Sequence, residues 1–265
     1  MAVDGGRLSV LLTFDFEEWE GRGRIYEADL YTKTKRVVDL LKEYQLPATF
    51  FLDAETTVKY PDATGLLYDT GFELALHSDY HFGVGNTVPV ELDFASQRSE
   101  QQMARMRKGI GMIRRVLPKF NPKGFRSPGL RWNEDLYVSL RQLGFKYDSS
   151  QQNKFAFQPF MKNGVVVLPV NCGDFDSACY KMGSRFVLDV WKDNFLRACR
   201  AASQGGDAYY MLLAHPSVCG KYEYIGILKA MLRHVAWRRP EYQTCGRMVA
   251  KYLVNNIHTT NLGEV

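Results

Sequence analysis

Short apolar runs and amphipathic stretches alternate along the whole chain. The apolar runs predict strands at 8–14, 47–52, 72–76, 124–126, 165–170 and 209–214. Apolar positions at helical spacing predict helices at 30–44, 96–117, 133–143, 187–202 and 225–237, with Asn133 as an N-cap. This alternation indicates an α/β fold with a mostly parallel sheet and helices outside, either a barrel or an open wound sheet.

Composition places the chain among ordinary globular proteins. Its 265 residues are 46% apolar and 24% charged, and no repeat or linker divides them, so we expect one domain over residues 1–265. The net charge of +5 is modest, and no basic cluster is interleaved with aromatic residues. No apolar run reaches the roughly 18 residues that a membrane span needs. The sequence therefore predicts neither nucleic acid nor membrane as a partner, and it leaves the oligomeric state open.

The cysteines and the N-terminus bear on cellular location. The five cysteines are odd in number and widely spaced, without a Cys-x-x-Cys pair, so neither a disulfide framework nor a zinc finger is indicated. A reducing compartment is the simpler expectation. Residues 1–7 hold no apolar stretch of the signal-peptide type. Provided that the chain starts at its native N-terminus, a cytoplasmic protein is expected.

Polar side chains that can carry chemistry follow the predicted strands at their C-terminal ends. These residues are Asp15 and Glu17, His77, Arg126, Asp174 and Asp176, and His215. The C-terminal ends of parallel strands share one face of an α/β fold, and active sites are built on that face. Because loops are generally polar, one such coincidence says little, but five together indicate a site.

Two histidines and a carboxylate in this set suit a metal ion. His77 and His81 lie four residues apart and can aim both imidazoles at one point if their segment makes a helical turn. Asp15 and Glu17, at i and i+2, point to the same side of an extended strand. Two imidazoles and one carboxylate with an open position are the ligand set of a hydrolytic Zn²⁺-type site. A His-x-x-x-His pair alone is a weak signal, and the other motifs strengthen it.

Four motifs follow one another along the chain: Thr-Phe-Asp at 13–15, His-Ser-x-x-His at 77–81, Arg-Ser-Pro-Gly at 126–129 and Leu-Leu-Ala-His-Pro at 212–216. Over residues 8–216 this order resembles the polysaccharide deacetylases, also known as NodB-homology or carbohydrate esterase family 4 proteins. The resemblance implies a deformed (β/α) barrel with about seven parallel strands. It also implies metal-dependent hydrolysis of an N-acyl, occasionally an O-acyl, group.

The first motif departs from the commonest form in that family, which has two adjacent aspartates. Here Phe16 takes the adjacent position and the next acid is Glu17, an arrangement that resembles a branch with intracellular and small-substrate members. By this resemblance, one divalent metal ion would be held by Glu17, His77 and His81. Zn²⁺ is the expected ion, with Co²⁺, Ni²⁺, Fe²⁺ and Mn²⁺ as alternatives.

The resemblance also implies a role for each remaining motif residue. Asp15 would act as the general base, and Arg126 would orient it through a bidentate contact. His215 would protonate the leaving amine, and an aspartate should fix its tautomer. We expect that aspartate to be Asp174, with Asp176 as the alternative, because the family's fourth motif is poorly matched here.

These inferences lead to one expected function and two alternatives. The first is a metal-dependent N-deacylase that removes an acetyl or formyl group from an amino sugar or a related small metabolite. The second is an allantoinase-like ring-opening amidohydrolase, since that branch shares the Asp-x-Glu motif. The third is a non-catalytic binding protein on the same fold, and the presence of both motif histidines, Arg126 and His215 argues against it. The exact substrate and acyl group are not readable from the sequence.

Overall fold

The computed structural model describes residues 6–18, 29–81, 93–172 and 184–261. Within these ranges the chain forms nine strands: β1 (Leu8–Phe16), β2 (Thr49–Leu52), β3 (Glu73–Leu76), β4 (Gly124–Phe125), β5 (Tyr147–Asp148), β6 (Phe160–Lys162), β7 (Val165–Val167), β8 (Ala208–Ala214) and β9 (Glu241–Gln243). It also forms nine α-helices: α1 (Leu30–Glu43), α2 (Ala54–Lys59), α3 (Pro61–Asp69), α4 (Ser99–Ile113), α5 (Asp135–Gln142), α6 (Ser184–Ser203), α7 (Pro216–Cys219), α8 (Tyr222–Ala236) and α9 (Cys245–Asn261).

The strands form one curved sheet. Their order is β6-β7-β5-β4-β3-β2-β1-β8, and β9 pairs with the first half of β1 while β2 pairs with its second half. Every pair is parallel except β6–β7, which is antiparallel. The expected deformed (β/α) barrel is confirmed, and the described part of the chain contributes eight parallel strands where about seven were expected.

Side chains of β1 alternate between two cores, as the two-residue period of a strand requires. Val10, Leu12 and Phe14 are buried in the larger cluster, together with Val37 of α1 and other helix residues. Leu11 belongs to a smaller inner cluster, which also contains Phe51, Ala75, Tyr147, Val166 and Met211 from other strands and Cys245, Met248 and Val249 from α9. The sheet is therefore buried on both faces, with the helices outside and the inner cluster filling the barrel.

Helix α9 covers the barrel at the end where the strands begin. The backbone N–H of Gly246 donates to both carboxylate oxygens of Glu73, the first residue of β3, at 3.1 and 2.9 Å. The N–H of Cys245 donates to Oγ1 of Thr49, the first residue of β2, at 3.0 Å. With α9 at this end, the polar residues singled out from the sequence that the structure describes lie at the opposite one: Asp15, Glu17, His77, Arg126 and His215.

A side chain links the segment after β7 to the edge strand β8. Asn171 donates from Nδ2 to the carbonyl of Tyr209 (2.9 Å), and its Oδ1 accepts from the N–H of Met211 (2.8 Å). The Asn171 amide thus takes the place of a peptide group beside β8. This contact draws the two ends of the curved sheet together.

The predicted elements are present with shifted ends. All six predicted strands are confirmed, and β1 runs two residues further than expected. The helix expected at 96–117 is shorter, because the chain enters it through a separate 3₁₀ turn at Phe94–Ser96 and the helix ends at Ile113. Several elements were not predicted from the sequence: the short β5, β6, β9, α2 and α3, and also the longer α9.

The described helices are short or amphipathic. The longest, α6, has 20 residues and carries charged side chains along its length. None of the described helices combines the length and apolar character that a membrane crossing requires. That residues 1–265 form one domain stays a prediction.

Candidate active site

The inward faces of four strands continue into the candidate residues. Each candidate lies two positions after an inward-facing residue, so strand alternation sends its side chain to the same side. The pairs are Thr13 with Asp15, Asp15 with Glu17, Ala75 with His77, Gly124 with Arg126, and Leu213 with His215. All five candidate side chains are buried at the C-terminal end of the sheet. The sequence-based expectation that they meet on one face holds for these residues.

Glu17, His77 and His81 converge. Oε2 of Glu17 lies 3.3 Å from Nε2 of His77 and 3.0 Å from Nε2 of His81. One potential ligand atom from each residue lies within 4.8 Å of the others. The two imidazole rings are nearly parallel, with centroids 5.4 Å apart and an interplanar angle of 26°. The structure therefore brings together the three residues that the sequence predicts as metal ligands.

The ring of His77 is held so that Nε2 is available to a cation. Its Nδ1 lies 2.8 Å from the backbone carbonyl oxygen of Arg126. Since a carbonyl oxygen can only accept, Nδ1 carries the hydrogen, and in the neutral imidazole the lone pair lies on Nε2. Nε2 faces Glu17. A carbonyl partner of this kind orients the histidine ligands of metal sites.

The surroundings of Glu17 fit a divalent cation. Its Oε2 is buried and receives no hydrogen bond within the described part of the chain, although it faces two imidazole nitrogens. Asp15 is buried beside Glu17, and the guanidinium of Arg126 pairs with Asp15. An unpartnered buried charge is costly, and a cation between Glu17 and the imidazoles would remove that cost. Two imidazoles and a carboxylate are a donor set that Zn²⁺ and neighbouring first-row ions accept.

Protonation follows the charges around these groups. Burial raises the pKa of Glu17, but three neighbouring histidines, His81 first, lower it more, and the pKa lies well below its ordinary value. Burial lowers the pKa of His77, but Asp15 and then Glu17 raise it more, so it lies above the usual range. Glu17 is therefore ionised at neutral pH, and protons compete with a cation for His77.

The segment that carries the two histidines is a loop and not the helical turn through which their spacing could bring the imidazoles together. Residues 77–81 lie outside any helix, and Ser78 has a φ of 94°. That left-handed region costs a residue with a side chain conformational energy. The carbonyl of Ser78 accepts from the N–H of Ala54 at 3.2 Å. The imidazoles converge through this loop geometry rather than through a helical period.

Arg126 is fully buried among polar groups. Its Nη1 donates to Oδ1 of Asp15 at 2.6 Å, whereas Nη2 donates to Oγ1 of Thr13 (3.1 Å) and Oγ of Ser149 (2.9 Å). The expected bidentate contact with Asp15 is therefore wrong, because the guanidinium divides its donors among several residues. The guanidinium carbon of Arg126 lies 4.0 Å from the centroid of the Phe51 ring, which is a cation–π contact.

The two carboxylate oxygens of Asp15 have different surroundings. Oδ1 accepts the hydrogen bond from Arg126. Oδ2 lies 3.8 Å from Nε2 of His77 and 3.9 Å from Nε2 of His215. Both distances exceed that of a direct hydrogen bond. Oδ2 is thus directed into the site without being bonded to either ring.

His215 and the two histidines of the loop face different oxygens of the Glu17 carboxylate. Its Nε2 is 3.2 Å from Oε1 of Glu17, whereas Oε2 faces His77 and His81. The structure therefore brings His215 to the site, at the end of β8. Asp174, its predicted partner, lies outside the described residues, and so does the alternative at 176. That assignment stays a prediction.

Glu18, the other acid near the end of β1, lies apart from this group. It pairs with Lys59 and accepts a hydrogen bond from Oη of Tyr60 at 2.5 Å. A residue adjacent to Glu17 in an extended chain points to the opposite side. Glu18 therefore does not share the position of the candidate ligands.

Asp53, which no sequence motif indicated, also belongs to this end of the barrel. It follows β2, two positions after the inward-facing Phe51, and is 2% exposed. Oδ1 caps α2 by accepting from the N–H of Thr56 at 2.8 Å, and the buried Oδ2 has no hydrogen bond in the described residues. Burial raises the pKa of Asp53 to about 7. The strand-end pattern that indicated Asp15 would also have indicated Asp53.

The chain is similar to known proteins in sequence. The family model described as polysaccharide deacetylase matches residues 2–147. A peptidoglycan deacetylase-like protein, FGM2, of Gibberella zeae is 23% identical over 86% of this chain and 80% of its own length. The family match includes the first three motifs, whereas the fourth, at 212–216, lies beyond the matched range.

Two solved structures are similar in fold. A candidate polysaccharide deacetylase from Mycobacterium smegmatis superimposes with a TM-score of 0.75 at 19% identity, covering 97% of this chain and 93% of that one. The PuuE allantoinase superimposes with a TM-score of 0.73 at 14% identity, covering 92% and 90%. At these identities the likeness concerns the fold alone.

Proposed function

The chain belongs to the polysaccharide deacetylase family, and on that premise we propose that it is a metal-dependent hydrolase removing an N-acyl group, acetyl or formyl, from an amino sugar or a related small metabolite. The observation that carries this proposal is the buried carboxylate of Glu17, which faces two imidazole nitrogens on one side and His215 on the other. A hydrolytic site needs these groups together with a base, which Asp15 supplies.

Glu17, His77 and His81 would hold the divalent ion, with Zn²⁺ as the expected species. When bound, such an ion polarises the acyl carbonyl and lowers the pKa of a coordinated water towards about 7. The chain contributes the orientation of these ligands. The carbonyl of Arg126 fixes the tautomer of His77, and the low pKa of Glu17 keeps its carboxylate ionised.

Asp15 would take the proton of the attacking water at Oδ2. Its Oδ1 is occupied by Arg126 at 2.6 Å, which leaves Oδ2 as the oxygen directed at the site. A positioned carboxylate of this kind contributes typically about 10²- to 10⁴-fold to the rate. Arg126, anchored by Thr13 and Ser149, keeps the base in one orientation.

His215 would deliver a proton from Nε2 to the nitrogen of the leaving amine. An amide nitrogen departs poorly as an anion, so the C–N bond breaks as this nitrogen gains the proton. His215 faces Oε1 of Glu17, whereas His77 and His81 face Oε2. Different residues can therefore take the proton from the water and give a proton to the leaving group.

The substrate class is inferred from the family and from a relative. The family name denotes deacetylation of saccharides, and the curated relative is named for peptidoglycan, a polymer of N-acylated amino sugars. Both support an acylated amino sugar as the substrate. The first motif, Asp-x-Glu at 15–17, favours a small member of that class.

The proposal is tested with protein loaded with one equivalent of Zn²⁺. Incubation with a panel of N-acetyl and N-formyl amino sugars should release acetate or formate from at least one of them, and Asp15→Asn should abolish most of the release. If fully loaded protein released no acid from any member, the deacylase proposal would be wrong, and either a ring-opening amidohydrolase or a binding protein on this fold would take its place.

An allantoinase-like ring opening is the second candidate. Two observations favour it: the similarity in fold to the PuuE allantoinase and the Asp-x-Glu form of the first motif. Ring opening of a cyclic ureide gives a single product, whereas deacylation gives an amine and a free acid. Consumption of allantoin by the same protein sample, without turnover of any acylated sugar, would establish this activity instead.

A further inference from the structure

Helix α4 contacts the whole loop between the two metal-ligand histidines through one side chain. Arg105 donates from Nε to Oδ1 of Asp79 at 2.8 Å. Its Nη2 donates to Oγ of Ser78 (3.2 Å) and to the backbone carbonyl of Tyr80 (3.1 Å). These are the three residues that separate the histidines. A single guanidinium therefore bonds to every residue of the connection.

Arg105 is itself held in place. Its guanidinium carbon lies 4.4 Å from the centroid of the Phe94 ring, and its side chain is 11% exposed. Asp79, its buried partner, also accepts from Nζ of Lys108 at 3.0 Å. A planar donor group stacked on an aromatic ring is oriented before it makes its hydrogen bonds. The contact with the loop is therefore a defined one rather than a mobile surface pair.

The backbone of α4 also approaches the loop closely. A Cβ atom at Gly109 would lie 2.9 Å from the carbonyl oxygen of Ser78 and 3.0 Å from the nitrogen of Asp79. Gly111, on the same helix, is exposed and would have nothing within 4 Å of its Cβ. Because glycine is disfavoured inside a helix, its presence at 109 is explained by this approach.

We propose that Arg105 and Gly109, together with Asp79, form a clamp through which α4 positions His77 and His81 and so sets the affinity of the site for its divalent ion. This α4 clamp rests on the metal site proposed above. Arg105 is a positioning residue, because it bonds to the residues between the histidines and leaves the binding of the ion to Glu17, His77 and His81.

The conformation of the loop explains why a clamp is needed. Ser78 has a φ of 94°, which a residue with a side chain adopts only when its surroundings impose it. Without Arg105 the loop can relax, and His77 and His81 would no longer be held at one point. Loss of residues that orient metal ligands typically weakens affinity by about 10- to 100-fold.

The test measures the binding of Zn²⁺ and Co²⁺ alone to metal-free, full-length protein by competition with a chromophoric chelator. Arg105→Ala is expected to raise the Kd for both ions about 10- to 100-fold. The control is Arg107→Ala, at an exposed arginine of the same helix, which should leave the Kd unchanged. Arg105→Lys, which keeps one ion pair with Asp79, should fall between them. The visible spectrum of bound Co²⁺, which reports ligand geometry, should change only in the Arg105 variants.

A second pair of variants tests the clamp without changing Arg105. Gly109→Ala places a methyl group against the loop and should raise the Kd, whereas Gly111→Ala places it in open space and should not. Both substitutions favour the helix, so weaker binding in the first cannot come from loss of helix stability. If Arg105→Ala does not fold, as judged by circular dichroism, this pair decides alone.

The outcomes separate the clamp from the metal site. Arg105→Ala or Gly109→Ala that is folded, yet binds both ions as tightly as its control, would overturn the clamp while His77→Ala still loses binding. If the wild-type protein and His77→Ala bind the ions equally, the metal site fails and the clamp fails with it. Weaker binding in both test variants, with intact controls, supports the proposal.

Discussion

Nη1 of Arg126 lies 2.6 Å from Oδ1 of Asp15, while Oδ2 of the same carboxylate is directed at Nε2 of His77 and of His215. One oxygen is thus anchored by Arg126, and the other faces the site without a hydrogen bond to either ring. Glu17, two residues further on, has no such anchor and faces the imidazoles instead. The two acids at the end of β1 should therefore respond differently to mutation.

Asp15→Asn should retain the metal and the fold but lose most of its activity, by about 10²- to 10⁴-fold. An asparagine oxygen can still accept the hydrogen bond from Arg126, whereas the amide cannot take a proton from water. The measurement is kcat alongside metal content. Loss of the metal from this variant would mean that Asp15 is a ligand and that Glu17 must be reassigned.

His215→Ala should bind metal normally and lose kcat on amides by about 10²- to 10⁴-fold, because the leaving nitrogen would then receive no proton. On an activated ester, whose leaving group departs without protonation, the loss should be much smaller. Both substrates are assayed on the same metal-loaded preparation. Equal losses on the two would contradict a general-acid role and leave His215 as an orienting residue.

Asp53→Asn should flatten the pH dependence of stability in the metal-free protein. Because burial raises the pKa of Asp53 from 3.8 to about 7, the folded state binds this proton more tightly than the unfolded chain does. That contribution to stability is present below about pH 4 and is lost as the pH rises through about 7. The asparagine keeps the cap on Thr56 and carries no such proton.

Urea unfolding at pH 5 and pH 8 checks this prediction. From pH 5 to pH 8, the free energy of unfolding of the wild type should fall relative to that of Asp53→Asn. Identical changes in the free energy of unfolding for the two proteins would show that Asp53 is not a buried, protonated group in the folded state.

The positions of the main site residues could be predicted from the sequence because they follow from strand alternation alone. Asp15 lies two residues after Thr13, and the same step places His77 and His215 on the inward side of their strands. Only the C-terminal end of each strand has to be located. Apolar runs such as that at 209–214 are long enough to locate it.

Features that depend on tertiary packing could not be predicted. The left-handed φ of Ser78 is imposed by neighbours that are distant in the sequence, and the spacing of the histidines suggested a helical turn instead. The donors of Arg126 are divided between Asp15, Thr13 and Ser149, which no motif records. The two residues of β5 are too few for periodicity to reveal, and no turn signal such as the Pro128-Gly129 pair after β4 marks its end.

Gly124→Ala should destabilise the barrel by about 1–3 kcal/mol or more, through overpacking. A Cβ at this position would lie 1.9 Å from the Tyr147 ring, which cannot move freely because its hydroxyl donates to Glu73 at 2.9 Å. Gly111→Ala, at an exposed helix position, is the control and should gain about 0.5–1 kcal/mol. The denaturant midpoints of both variants are compared with that of the wild type. Equal stability of Gly124→Ala and the wild type would show that the Tyr147 ring can shift.

The central claim is that Glu17, His77 and His81 hold the ion on which hydrolysis depends. The most direct measurement determines metal content and acid release together, in the wild type and in His77→Ala, before and after treatment with a chelator. We expect about one equivalent of metal in the wild type, loss of metal and activity on chelation, recovery of both on adding Zn²⁺, and neither in His77→Ala. A His77→Ala protein that kept its full equivalent, or a chelated wild type that still released acid, would contradict the claim.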